Sequence, residues 1–348
     1  MPTPSTRESL AEGVQWFIER YNQAVDIIRR RRGQLDLETV FDVSDRRIKW
    51  TRQVKAAALR LRPSEFHSNR IRRAVYRPFT TKLLYFDPFW NEEQYKQPRI
   101  FPAPAIEQEN RAIGLTGLGS EKPFMAVMTD CICDLHLVGT GCGSQCFPFY
   151  IYDPDGSNRR ENITDLALDR FRTHYNNLHI TKWDVFHYIY ALLHHPAYRE
   201  RFADNLKREL PRIPFATDFA AFAQAGSELA RLHVGYEQLE PWPLQWIEDP
   251  KQPLSYRVER MRLGKDKTSL AVNPSLTLAG LPPEAFDYRL GNRSALEWVI
   301  DQYRVTGDPP SDPNRDDDPE YIVRLVGQVV RVSVETVRIV RSLPPGFG

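Results

Sequence analysis

From Ile71 to Tyr152 the chain runs in short bursts of β-branched and aromatic residues broken by Pro, Gly and Asn, and on both sides apolar residues return at helical spacing. The runs AVYRPFTTKLLYFDPFWN, PRIFPAPAI, RAIGLTGLG, PFMAVMTD and CFPFYIYD all have strand length and end in turn formers. A sheet-bearing middle between helical flanks makes the fold class α+β: basic N-terminal helices, a mixed or antiparallel sheet region, and a helical C-terminal half. The corresponding divisions are a basic helical segment over 1–69, a β-rich core over 70–160, and a mostly helical part over 161–348 with a β or loop insertion near 241–290.

The flanks carry their own signals. Leu10, Val14, Phe17, Tyr21, Val25 and Ile28 recur at steps of four and three, and Ser5 with Glu8 fits a capping box. That helix ends in Arg29 to Arg32 and Gly33, which suits the negative end of a helix dipole and a left-handed residue after it. A second basic helix is expected over Ser44 to Leu61, with Trp50 and Val54 inward and Arg46, Arg47, Lys49, Arg52, Lys55 and Arg60 mostly outward. Further on, Thr181 and Asp184 can cap WDVFHYIYALLHH, Pro196 can open YRERFADNLKREL, and ATDFAAFAQAGSELARLHVGYE is amphipathic. The Asp- and Pro-rich TGDPPSDPNRDDDPE reads as a loop. Asp317 and Glu320 are candidate caps for a final helix with Ile322, Val326, Val329, Val337 and Val340 on its spacing.

A chain of 348 residues can bury a substantial core, and no apolar run nears the roughly 18 residues of a membrane span. With no apolar signal core in MPTPSTRES, the expected location is the cytoplasm, where its four thiols stay reduced.

All four cysteines fall in DCICDLHLVGTGCGSQCFPFY, residues 130–150. Cys131, Cys133, His136, Cys142 and Cys146 could supply zinc ligands, but C-x-C-x8-C-x3-C lacks the paired CxxC of zinc ribbons. Burial of Cys131, Cys133 and Cys146 as small apolar residues on adjacent strands is the alternative. LHLVGTGCG looks like a cofactor glycine loop, which requires a following helix to aim backbone N–H groups at the ligand. The residues after these glycines are strand-like, so a glycine-rich connection is favoured. DPFW at Asp87 to Trp90 lacks the second proline of an amine-holding methyltransferase motif, and GLTGLGSEK fails the phosphate-loop spacing. His187 and His194 are seven apart, too far to chelate as an i,i+4 pair. No catalytic, metal or cofactor constellation is assigned, and the chain alone is not expected to be an enzyme.

Charge points elsewhere. Residues 1–100 hold 20 Lys and Arg against 12 Asp and Glu, and between Arg29 and Arg77 the count is 15 to 5, an excess that attracts polyanions. A solvated face, or contact with an acidic neighbouring domain, is the bland alternative. Arg70, Arg72, Arg73 and Arg77 lead into strand-like residues followed by Lys82, Lys96, Gln97 and Arg99. In YRVERMRLGKDK, Arg257, Arg260, Arg262, Lys265 and Lys267 flank a Gly-containing turn, the shape of a hairpin tip that enters a groove. Arg and Lys neutralise phosphates, and the forked side chains of Arg and Gln fit base edges.

The order of blocks adds a resemblance. IRRAVYRPFTTKLLYFDPFWNEEQYKQPRIFP, IGLTGLGSEKPFMAVMTD, DLHLVGTGCGSQCFPFYIYD, DVFHYIYALLHHPAYRERFADNLKRELPRIPF and LPPEAFDYRLGNRSALEWVIDQY, in this order, resemble the C-terminal specificity region of type ISP restriction-modification enzymes. The resemblance spans roughly residues 14 to 340. It implies a module that reads a short asymmetric duplex DNA sequence and positions it for the methyltransferase and translocase parts of the same system. It implies neither metal nor cofactor, and only Cys146 of the four cysteines fits the family pattern. A docking domain for a separate restriction or methyltransferase subunit is the second expectation; a degenerate methyltransferase, resting on GTGCG and DPFW, is the third.

Overall fold

The structure, a computed structural model, describes residues 6–30, 40–41, 50–139, 141–307 and 311–346. Two compact units interleave along the chain. The first takes residues 1–74, 82–96 and 306–313, and the second takes 75–81, 97–305 and 314–348.

In the first unit, helix α1 (Arg7–Arg30) buries Leu10, Val14, Ile18, Tyr21, Ala24, Val25 and Ile28, a stripe at the expected spacing. Phe17 is only partly buried and meets Trp90 edge-on at 4.6 Å. Ser5 lies outside the described residues; Thr6 Oγ1 accepts from Ser9 N at 3.1 Å instead. Arg31 to Gly33, and residues 44–49 of the expected second helix, also lie outside them. Helix α2 (Arg52–Leu59) is capped by Thr51, whose hydroxyl accepts from Val54 N. Trp50 packs on Phe41 and Tyr21, and Val54 is buried, both inward as expected. The helix closes through Leu61 at φ +56°, with Arg62 N donating to Ala57 O.

Strands β1 (Ile71–Arg77) and β2 (Thr80–Tyr85) are neighbours in one sheet, joined by Pro78 and by Phe79 at φ +55°. Each strand passes from one unit to the other. After β2, Asp87 accepts from Phe89 N at 2.6 Å and pairs with Arg70, and Phe89 and Trp90 each meet the Tyr21 ring at 5.2 Å. DPFW is thus a turn that seats two aromatic rings on α1.

The second unit departs first at PRIFPAPAI. This run has strand length, but it folds as two single-turn helices, α3 (Gln97–Ile100) and α4 (Pro104–Glu107), with proline in the first turn of α4. Proline's missing N–H and fixed φ suit that position better than a ladder. Strands β3 (Ala112–Thr116), β4 (Ala126–Thr129), β5 (Ile132–Cys133), β6 (Ser144–Pro148), β7 (Tyr150–Ile151) and β8 (Arg160–Glu161) follow. Antiparallel β3, buried at every position, lies between β4 and β6.

Helices α5 (Asp165–His174), α6 (Lys182–Leu192), α7 (Pro196–Arg201), α8 (Ala203–Arg208) and α9 (Phe219–Val234) pack one aromatic core with β3 and β4. Thr181 and Asp184 form the expected capping box of α6, and Pro196 opens α7. YRERFADNLKREL, read as one helix, breaks at Phe202 into α7 and α8. Helices α6 and α9 approach so closely that a Cβ at Gly226 would overlap the His187 carbonyl.

The 241–290 segment, read as irregular or β, carries short strands separated by irregular chain. Strands β9 (Gln245–Glu248), β10 (Arg262–Leu263), β11 (Ser269–Asn273) and β12 (Leu276–Ala279) form an antiparallel sheet in the order β10-β11-β12-β9. Its inner face, Leu270, Val272, Leu276 and Leu278, joins helices α10 (Ala295–Gln302) and α11 (Tyr321–Ser342) in a second core. The valine-rich end of the chain is helical, as its spacing predicts. Glu320 stands at its N-terminus without a side-chain cap, and Asp318 pairs with Arg324.

Four elements are tied by one buried polar chain. Met128 N donates to Tyr190 Oη (2.8 Å), Tyr190 Oη hydrogen-bonds His233 Nδ1 (2.6 Å), and His233 Nε2 hydrogen-bonds Thr336 Oγ1 (2.8 Å). Strand β4 and helices α6, α9 and α11 are thereby held in register through buried polar groups that satisfy one another. Burial pushes the pKa of His233 down to about 3, with the Arg199 guanidinium adding to the effect.

Candidate nucleic-acid interface

The candidate residues divide between the units. In the first, Arg70 is committed to the buried Asp87, Arg72 is itself buried, Lys82 is half-buried, and Arg73 and Lys96 are exposed. In the second, Arg77 lies 4.0 Å over the Tyr76 ring and pairs with Asp134 at 3.2 Å. Gln97 is used internally, accepting from Cys133 N (3.3 Å) and donating to Cys146 Sγ (3.5 Å). Arg99 is exposed on α3. Arg70, Arg77 and Gln97 already have structural partners; Arg73, Lys96 and Arg99 are exposed.

The second group sits together in the chain. Strands β10 and β11 pair Arg262 with Ala271 and Leu263 with Leu270, and the turn between them is closed by Gly264 N to Ser269 O at 2.9 Å. Lys267 takes φ +59°, and Asp266 accepts from Thr268 N and its hydroxyl, so the tip is pinned by its own hydrogen bonds. Arg260, Arg262 and Lys265 are exposed around this hairpin. Arg257 pairs with Glu259 at 2.9 Å, and Lys267 reaches Glu297 at 3.4 Å while lying 4.9 Å over the Phe286 ring. The expected basic hairpin tip is present, with Arg262 and Lys265 projecting from it and Lys267 turned toward its support.

The cysteine stretch makes a different arrangement. Cys131, Cys133 and Cys142 are buried and Cys146 is half-buried, all with free thiols. A hydrogen bond to Cys146, together with burial, pushes the Cys133 thiol well up. Among the described residues no group of three or more His, Cys, Asp or Glu side chains assembles as a metal cage. The glycine loop runs into β6, with no helix to aim at a ligand. His194 is buried beside His233, Tyr190 and Tyr288, and its Nδ1–H donates to Tyr190 O at 2.8 Å.

Sequence reasoning did not bring out a cavity of about 380 Å³ in the first unit, lined by α2, Arg62, Arg70 and the Asp87–Phe89 turn. Its walls come from segments some thirty residues apart, and DPFW was the one visible signal.

The chain is thus α+β, with Arg262 and Lys265 exposed on the β10–β11 hairpin and Arg73 exposed on β1. Residues 2–325 match the family described as Type ISP C-terminal specificity domain, and the chain belongs to that family. No match was found among curated proteins. Among solved structures it is similar to the DrdV–DNA complex (36% identity, TM-score 0.84, 98% of this chain and 34% of that one). It is also similar to a nuclease-deletion mutant of the Type ISP restriction-modification enzyme LlaGI in complex with a DNA substrate mimic (31% identity, TM-score 0.81, 99% and 31%). A third is the ATP-dependent Type ISP restriction-modification enzyme LlaBIII bound to DNA (28% identity, TM-score 0.83, 98% and 22%). The chain spans about a third or less of the length of these proteins. No described helix is long and apolar enough to cross a membrane.

Proposed function

We propose that this chain recognises a short asymmetric sequence in double-stranded DNA as the specificity part of a type ISP restriction-modification system, and positions that target for methyltransferase and translocase parts. The observation that carries this reading is the likeness over 98% of the chain, at 36% identity, to a protein solved as a DNA complex. In this reading the exposed Arg73, Lys96, Arg99, Arg260, Arg262 and Lys265 meet phosphates or base edges, while Arg70, Arg72, Arg77, Lys82, Gln97, Arg257 and Lys267 contribute field and support. The chain itself performs no chemistry, requires no cofactor, and works in the reducing cytoplasm, where its thiols stay free.

Selection of duplexes from a random pool by the full chain is expected to enrich one asymmetric sequence. Its binding constant should fall linearly on a log–log plot against salt, with a slope of about −0.9 per phosphate neutralised. Flat affinity between low and moderate salt, or no enriched sequence, would overturn the reading. Within it, Arg262→Ala with Lys265→Ala should either lower the slope by about one per phosphate contact or relax the preference at specific base pairs. A hairpin that changes neither is not part of the interface.

A second reading is favoured by edge strand β9, where Trp246 and Ile247 are 44% and 53% exposed. Such an apolar edge suits docking onto a separate subunit. Co-purification with candidate subunits in the absence of DNA checks it, and a monodisperse monomer indifferent to them counts against it.

A further inference from the structure

The cavity of about 380 Å³ in the first unit is rich in guanidinium groups. Its walls are Gln53, Ala56, Ala57 and Arg60 from α2 and its end, Arg62, Arg70, and the Asp87-Pro88-Phe89 turn. Arg60 and Arg62 are exposed, and the Arg62 guanidinium lies 6.0 Å over the Phe89 ring. Asp87 is the one acidic group in the lining and is only 1% exposed. Both of its carboxylate oxygens are engaged, Oδ1 by Phe89 N–H and Oδ2 by Arg70. A carboxylate so engaged is not open to a ligand amine. It fixes Arg70 instead, and a guanidinium carries five donors, so one ion pair leaves others for a ligand. Three guanidinium groups against one internally paired carboxylate make a cavity of net positive charge with forked donors and an aromatic wall. That is the chemistry that takes a phosphate group.

We propose that this cavity binds a phosphate group, with Arg60 and Arg62 as the contacting cations, Arg70 as a third donor, and Asp87 as a positioning residue. The source best fitted to it is a backbone phosphodiester of duplex DNA, gripped as a register anchor independent of base sequence. This identification of the source rests on the proposed function; the phosphate chemistry does not.

The test uses the full chain and two variants that remove different things. Arg60→Ala with Arg62→Ala removes charge from exposed side chains, and Ala56→Trp fills the cavity with charge unchanged. Each is checked for folding by its thermal melt. Fluorescence anisotropy with a non-specific duplex across a salt series is one arm, and calorimetry with inorganic phosphate is the other. Both variants are expected to weaken duplex binding about tenfold near 0.1 M salt and to lower the salt slope by about one. Loss confined to the double arginine variant would mark a diffuse field effect and overturn the cavity assignment. Phosphate heat abolished by both variants, with duplex binding unmoved, would keep the site and assign it to a free phosphate ligand. If the wild-type chain binds duplex while neither arm responds to either variant, the proposal fails and the DNA reading survives. If the wild type binds no duplex, the DNA reading fails and the phosphate arm alone decides the site.

Discussion

Gly226→Ala is expected to destabilise the protein by about 3 kcal/mol or more, the upper range for overpacking. The added methyl would overlap the carbonyl of His187, a backbone atom of α6 that cannot rotate away as a side chain could. To admit it, α9 must shift from α6, and the cores that both helices share with β3 and β4 must open with them. In a chain of this size that loss lowers the melting temperature by several degrees. Equilibrium denaturation of the variant checks it. A melt within one degree of wild type would mean that the two helices are not packed at glycine distance.

The second large effect is with pH. His233 is neutral in the fold, with its pKa pushed down to about 3 from an ordinary 6.5 by burial, and burial also holds His194 well below its ordinary value. His187 and His195 are lowered for the same reason. The unfolded chain takes up these protons near pH 6.5 and the folded chain does not. Above that pH both states are neutral and stability is unaffected. Below it each such histidine removes about 1.4 kcal/mol per pH unit until its folded pKa is reached. For His233 alone this amounts to roughly 4 to 5 kcal/mol between pH 6.5 and 3. Denaturant titrations at steps from pH 7.5 to 4.5 should show stability falling steeply below 6.5. His233→Gln, less stable at pH 7.5 because it breaks the Tyr190–Thr336 chain, should show a shallower fall. An unchanged slope in that variant would remove His233 from the account.

How much of this was legible in the sequence depends on how local its cause is. The stripe of α1, the Thr181–Asp184 capping box, the proline at the start of α7 and the helical spacing of α11 are written within a few residues, and each appears in the structure. The β10–β11 hairpin was legible for the same reason, since a Gly-containing turn between two basic runs is a local signal. PRIFPAPAI misled because apolar residues alternating with proline satisfy a strand pattern and a succession of single helical turns equally well. The break at Phe202 was invisible because its flanks keep helical spacing. The Met128–Tyr190–His233–Thr336 chain joins residues up to about two hundred positions apart, and nothing in the spacing of its tyrosine and histidines distinguishes them from ordinary core residues. The same distance hid the arginine cavity. Arg77 and Gln97 were legible as polar residues beside strands, but only three dimensions reveal the partners that already occupy them.

The interleaving of the two units constrains anyone who would rebuild this protein. The backbone crosses between them at 74/75, 81/82, 96/97, 305/306 and 313/314. No single cut, at residue 69 or anywhere else, frees one unit intact, and a chimera that borrows the first unit from a relative must import three separate pieces of gene with matched junctions. Exchange of the compact hairpin at 262–269, bounded on both sides by its own ladder, needs only one.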